Sequence, residues 1–93
     1  MLYARPQLNG NTKADFIKAY EDLEAARDAM TKAIRRLQTN VLHGRNYQHI
    51  GLDQHPSPME AQQADFARLR PLLSSLELMG EVSMFLAKTG SDA

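Results

Sequence analysis

The sequence predicts an all-α fold in which two long helices form an antiparallel hairpin and the second helix is kinked. Two segments with apolar residues at spacings of three and four carry this prediction. A polar segment over residues 42–56 separates them, and Pro71 inside the second segment predicts the kink. We expect a single domain over residues 1–93, with a first helix at 12–41 and a second at 57–88.

The first helix is predicted from some thirty residues that contain neither proline nor glycine. Thr12 with Asp15 three residues later approximates a capping box, and Asn11 is the other candidate for the N-cap. The apolar residues that define one face of this helix are Phe16, Tyr20, Leu23, Met30, Ile34, Leu37 and Val41. An uninterrupted rod is therefore expected.

The second helix has a clear start signal. Ser57 stands at the N-cap, Pro58 at the first helical position and Glu60 at the third. Pro71 removes one backbone donor and presses on the carbonyl four residues earlier, so we expect a kink near Arg70. One kinked helix is predicted rather than two helices, because the periodicity resumes without turn residues. A C-terminal glycine signature at residues 88–90 predicts the end.

The second helix carries more apolar surface than one partner helix can cover. Leu78, Met84 and Phe85 fall away from the seam formed by Leu69–Leu76, and leaving them exposed would create a large apolar patch. A chain of 93 residues without cysteine has no disulfide to compensate for a small core. We therefore expect a homo-oligomer in which hairpins pair into a helical bundle.

Composition excludes several classes of protein. Eleven basic and eleven acidic residues give a net charge near zero, which argues against general nucleic-acid binding. No apolar run approaches the ~20 residues that span a bilayer, and the first ten residues do not resemble a signal peptide. A cytoplasmic protein is expected. Residues 1–10 are predicted to form an extended arm that Leu2 and Tyr3 could pin to a neighbouring surface.

The histidines do not have the spacing of a metal site or a catalytic site. His43, His49 and His55 are six residues apart, although with Asp53 they could form a site of three nitrogens and one oxygen. A structural or solvent-exposed role is favoured. His49 and Asp53 could act as a general base, but no nucleophile motif or phosphate-binding glycine loop accompanies them. We predict no enzymatic activity, no metal and no cofactor.

The connecting segment predicts a binding site for an anion. A helical hairpin would bring its side chains, the end of the first helix and the start of the second to one pole. Arginine would bind phosphate, Tyr47 would stack on a base and Asn46 would read a base edge. Gly44 would permit close approach or a positive φ. The predicted ligand-binding residues are Arg35, Arg36, His43, Gly44, Arg45, Asn46 and Tyr47. In the alternative interpretation, Arg45 and Asn46 tie the turn to helix carbonyls.

The run Leu42-His43-Gly44-Arg45-Asn46-Tyr47 resembles a motif in a set of small, mostly uncharacterised proteins of tailed bacteriophages and prophages. These proteins look like two helices joined by an apolar residue followed by His-Gly-Arg-Asp-Tyr. Asn46 stands where aspartate is expected, and Gln48 where a second tyrosine is frequent. The resemblance implies a phage or prophage origin. In size and architecture the chain is also similar to phage anti-defence proteins that sequester cyclic nucleotides.

These observations predict a non-enzymatic phage accessory protein with an anti-defence role in the host cytoplasm. It would bind and sequester a small anionic ligand such as a nucleotide second messenger. Two alternatives stay open. The apolar face of the second helix could inhibit a host immune complex by protein–protein contact, or the chain could be a structural or assembly protein.

Overall fold

The computed structural model describes residues 3–7 and 10–92, and these residues form helices and turns without any β-strand. The elements in chain order are helix α1 (Gly10–Arg36), a π-helical turn (Leu37–Val41), a 3-10 turn (Gly44–Tyr47), helix α2 (Pro58–Arg68) and helix α3 (Arg70–Asp92). The predicted all-α class is confirmed. The helical bundle of several copies stays a proposal.

Contacts within the chain divide it into two compact units. Unit 1 comprises Met1–Met30 and Ser75–Ala93, and unit 2 comprises Thr31–Ser74. Within unit 1, the α1 and α3 segments run antiparallel and approach closely at glycines. A Cβ atom built on Gly80 would lie 3.3 Å from Nη2 of Arg27, and one on Gly90 would lie 3.6 Å from Cβ of Phe16.

Ser83 of α3 is the most deeply buried side chain described in unit 1. It is 2% exposed, and its hydroxyl has no hydrogen-bond partner among the described residues. A buried hydroxyl without a partner loses its hydration and gains nothing in return, which costs free energy. Unit 1 therefore contains a polar group that its own packing does not satisfy.

Replacing Ser83 with alanine is expected to raise the free energy of unfolding by about 1 kcal/mol, because the unpaired hydroxyl is removed and alanine favours the helix. Urea denaturation followed by circular dichroism measures the change. The control is Ser74→Ala, which makes the same substitution at an exposed position of α3. A loss of stability in Ser83→Ala would show that the hydroxyl has a partner in solution.

The core of unit 2 is formed by Ile34 of α1, Tyr47 of the 3-10 turn and Leu69 between α2 and α3, all of them buried. Within this unit the second helix begins as predicted. The Ser57 side chain accepts from the Glu60 amide at 3.3 Å, and the Glu60 carboxylate accepts from the Ser57 amide at the same distance. This reciprocal pair is a complete capping box.

The second helix bends at Leu69, which confirms the predicted kink. The Leu69 amide donates to the Phe66 carbonyl at 3.0 Å, a tighter turn than an α-helix makes, and the Leu73 amide then donates to the Leu69 carbonyl at 3.0 Å. Pro71 has no amide hydrogen and cannot continue the regular pattern, which explains the interruption. Beyond it, α3 continues to Asp92, past the predicted end at residue 88.

The first helix differs from its prediction at both ends. It begins at Gly10, so Asn11 and Thr12 lie inside its first turn and the predicted cap is wrong. Its α-helical part ends at Arg36, and a π-helical turn takes the place of the last predicted turn. In the predicted arm, Tyr3 is 93% exposed, and Leu2 lies outside the described residues.

Candidate functional site

The connecting segment is built around the end of α1, where the last carbonyl groups of a helix need new partners. The Leu42 amide donates to the Leu37 carbonyl at 2.8 Å, which forms the π-helical turn. The Thr39 hydroxyl donates to the Arg35 carbonyl at 2.9 Å. Both contacts satisfy backbone groups within the turn itself. The carbonyls of Asn40, Val41 and Leu42 accept hydrogen bonds from side chains that lie later in unit 2.

Asn46 and Gln62 supply those contacts. Nδ2 of Asn46 donates to the Asn40 carbonyl at 2.9 Å and to the Val41 carbonyl at 2.7 Å, while Nε2 of Gln62 donates to the Leu42 carbonyl at 2.8 Å. Side-chain amides thus replace the glycine that often ends a helix. The alternative interpretation of Asn46, as a tie to helix carbonyls, describes what this residue does.

Tyr47 lies inside unit 2 rather than at its surface. Its ring is 7% exposed, and its hydroxyl donates to Oδ2 of Asp65 at 2.7 Å. Nη1 of Arg68 lies 3.7 Å from the other carboxylate oxygen of Asp65. The ring has no open face on which a base could stack. Its burial, and next its hydrogen bond to Asp65, raise the pKa of Tyr47 above the ordinary value.

Because the pKa of Tyr47 is higher in the folded state than in the unfolded state, its contribution to stability is complete below about pH 10. It is lost as the pH rises through the folded-state pKa. We expect Tyr47→Phe to lower the melting temperature near neutral pH by roughly 4–8 °C and to flatten its decline above pH 10. Tyr3→Phe, at an exposed tyrosine, is the control. If the melting temperature of Tyr47→Phe falls above pH 10 as steeply as that of the wild type, the assignment is contradicted.

His43 and Gly44 shape the 3-10 turn. His43 is its N-cap, and Nδ1 of the imidazole accepts from the Arg45 amide at 3.2 Å. No described glycine has a positive φ, so the positive φ predicted as one option for Gly44 is wrong. A Cβ atom there would lie 3.9 Å from Nε2 of Gln62, an ordinary contact distance. The described contacts therefore give Gly44 no steric requirement for glycine.

The three arginines of the predicted site are exposed: Arg35 and Arg36 close α1, and Arg45 lies in the 3-10 turn. Within the described part of the chain, none of the three has a carboxylate partner. Unit 2 holds six basic and three acidic residues, a net charge of +3, and all three histidines. Unit 1 holds five basic and eight acidic residues, a net charge of −3. The neutral chain is thus strongly polarised.

The predicted alternative of a histidine metal site is not assembled. Among residues 3–7 and 10–92, no three side chains of histidine, cysteine, aspartate or glutamate are grouped so that they could hold a metal ion. Nδ1 of His43 is used by the Arg45 amide. His55 is 89% exposed and lies 3.9 Å from the Glu60 carboxylate. His49 is exposed as well.

A feature that the sequence reasoning missed is an apolar stripe on the second helix of unit 2. Met59, Phe66 and Leu73 are 69%, 37% and 37% exposed, and they follow one another at intervals of seven residues. Seven residues are nearly two helical turns, so Met59 and Phe66 share one face of α2. Leu73 has the same spacing but lies on α3, beyond the bend at Leu69. The spacing was visible in the sequence, but periodicity alone does not tell an exposed stripe from a buried one. Of the three residues predicted to fall away from the seam, Leu78 and Met84 are 55% and 76% exposed in unit 1, whereas Phe85 is half-buried.

None of the described helices is both long enough and apolar enough to cross a membrane. No protein-family model, curated protein or solved structure matches the chain.

Proposed function

We propose that this protein is a non-catalytic interaction protein, which acts by binding a helical segment of another polypeptide along the apolar stripe Met59–Phe66–Leu73. The observation that carries the proposal is the exposure of these three large side chains at seven-residue intervals. Water contact with such side chains is unfavourable by about 25 cal/mol for each Å² of apolar surface. A contiguous apolar surface on a small protein is typical of a site that binds a partner.

The spacing of the stripe favours a helical partner. The seam of a coiled coil consists of apolar residues at two positions of every seven, each of which fits between residues of the facing helix. Met59 and Phe66 have the spacing of one of these two positions. An amphipathic helix that lies in such a groove buries its own apolar face at the same time. The partner is therefore expected to present apolar residues at intervals of three and four.

Side chains of the connecting segment already make contacts within the chain, which supports protein contact over nucleotide binding. Both hydrogens of the Asn46 amide donate to backbone carbonyls, and the Tyr47 ring is buried. A nucleotide site needs an aromatic face and a free amide to select a base. The Asn46 amino group and the Tyr47 ring could serve a base only if these contacts were broken.

Affinity capture tests the proposal. Tagged wild-type protein and Met59→Glu are used to capture polypeptides from cells that naturally express the protein, and mass spectrometry quantifies what each retains. We expect at least one polypeptide to be retained by the wild type and lost in Met59→Glu. The control is Gln63→Glu, which adds the same charge at an exposed position one turn away. Equal retention by all three proteins would contradict the proposal.

A second candidate function is the binding of a small anion, such as a nucleotide, at Arg35, Arg36 and Arg45 with His43. The exposure of these arginines without carboxylate partners, in a unit of net charge +3, favours it. Guanidinium groups bind phosphate through paired hydrogen bonds. This site would recognise charge rather than a base. The resemblance to phage proteins would place such an activity in sequestration of an anionic signal.

Thermal shift measurements test the anion site. A nucleotide at a hundred times its dissociation constant stabilises a folded protein by about 2.7 kcal/mol. We expect the shift to appear with polyphosphates and nucleotides of any base, and to be lost in Arg45→Ala. No shift with any nucleotide would exclude this second candidate and leave the apolar stripe unaffected.

A further inference from the structure

We propose that the protein associates with a second copy of itself by inserting Leu52 of one copy into an apolar groove on unit 1 of the other. The contact would join the basic unit 2 of one copy to the acidic unit 1 of its neighbour. It does not use the apolar stripe, so it stands independently of the proposed function.

The groove lies between the α1 and α3 segments of unit 1 and has a volume of about 300 Å³. The residues that line it include Ile17, Leu86 and Gly90, together with Lys13 and Tyr20, which add polar groups. Ile17 is 44% exposed. The groove is thus mainly apolar, large enough for a leucine side chain, and has one cation within reach of an incoming carboxylate.

Leu52 has the properties of the side chain that would fill this groove. It is 91% exposed, and leucine is not one of the residues that dominate tight turns. The turn that carries it is fixed by two hydrogen bonds. The Gln54 amide donates to the Gly51 carbonyl at 3.1 Å, and the Gly51 amide donates to Oε1 of Gln54 at 3.3 Å. A fixed turn loses little conformational freedom on binding.

Charge favours a second copy as the occupant. Asp53 follows Leu52 directly and would approach Lys13, which lines the groove. On a larger scale, net charges of +3 and −3 on the two units attract between copies.

Sedimentation velocity over concentrations of about 1–200 μM tests the inference. We expect the wild-type protein to self-associate, and Leu52→Asp to raise its dissociation constant at least tenfold, because an aspartate cannot occupy the groove. Leu52 makes no buried contact, so this variant should fold normally by circular dichroism. The control is Gln63→Glu, which adds the same charge at an exposed position of the same unit and should retain the wild-type dissociation constant.

Charge reversal supplies a second measurement on the same contact. Lys13→Glu and Asp53→Lys should each weaken self-association, and the double variant should restore it. Wild-type protein that stays monomeric throughout would overturn the inference, as would Leu52→Asp that associates like the wild type. In either case, a polypeptide that the wild type captures and Met59→Glu does not would still support the proposed function. If Met59→Glu captures the same polypeptides as the wild type while Leu52→Asp weakens self-association, only the proposed function is rejected.

Discussion

Replacing Leu69 with alanine is expected to lower the free energy of unfolding by about 3 kcal/mol. Leu69 is 7% exposed and belongs to the small buried core of unit 2. Removal of a buried leucine side chain costs its transfer free energy and leaves a cavity, for a total of roughly 2–5 kcal/mol. Leu69 also lies at the bend of the second helix, where neighbouring residues have little freedom to close the gap.

The matched control is Leu72→Ala, one turn away in α3, where the same side chain is 39% exposed. Much of the Leu72 surface already contacts water, so its loss should cost less than half as much. Urea denaturation of both variants gives the comparison. If both variants lose the same free energy of unfolding, Leu69 is not packed in solution as the structure has it.

Replacing Asn46 with aspartate is expected to destabilise the protein by about 2 kcal/mol at neutral pH. The amide group donates two hydrogen bonds to the carbonyls of Asn40 and Val41, and each is worth about 1 kcal/mol. A carboxylate has no hydrogen to donate and would face two carbonyl oxygens.

The pH dependence of Asn46→Asp separates lost hydrogen bonds from a general effect of charge. Below a pH of about 4 the new carboxyl group is protonated and can donate one hydrogen bond. The difference from wild type should then shrink by about half. Gln48→Glu introduces the same charge at an exposed position of the same segment and should change stability little. An Asn46→Asp variant as stable as Gln48→Glu would contradict the role given to Asn46.

Much of the fold could be predicted because local signals determined it. The capping box at Ser57 and the interruption caused by Pro71 each act within four residues, and both appear where the sequence indicated them. The end of α1 could not be predicted in the same way. There Gln62 donates to the Leu42 carbonyl, and no local pattern reveals a contact that spans twenty residues. The shorter contacts of Asn46 with the carbonyls of Asn40 and Val41 were open in the sequence only as an alternative.

The candidate site could be predicted only in part, because its contacts also join residues that are distant in the sequence. The connecting segment was expected to offer polar and aromatic groups to a ligand, and composition cannot tell such a group from one that packs against its own chain. Tyr47 is the clearest case, because its partner Asp65 lies eighteen residues away in α2. Arg45 remains exposed, so the part of the site that needs only charge stays a candidate. The apolar stripe was missed because exposure, rather than spacing, distinguishes it.

Site-specific photo-cross-linking at position 59 tests the central claim most directly. A photoreactive phenylalanine analogue replaces Met59 in the full-length protein, and cells that naturally express the protein are irradiated. If the apolar stripe binds another polypeptide, a discrete cross-linked product will form at position 59 and will be absent when the same analogue replaces Gln63. Absence of a product at position 59, or equal products at both positions, would contradict the claim.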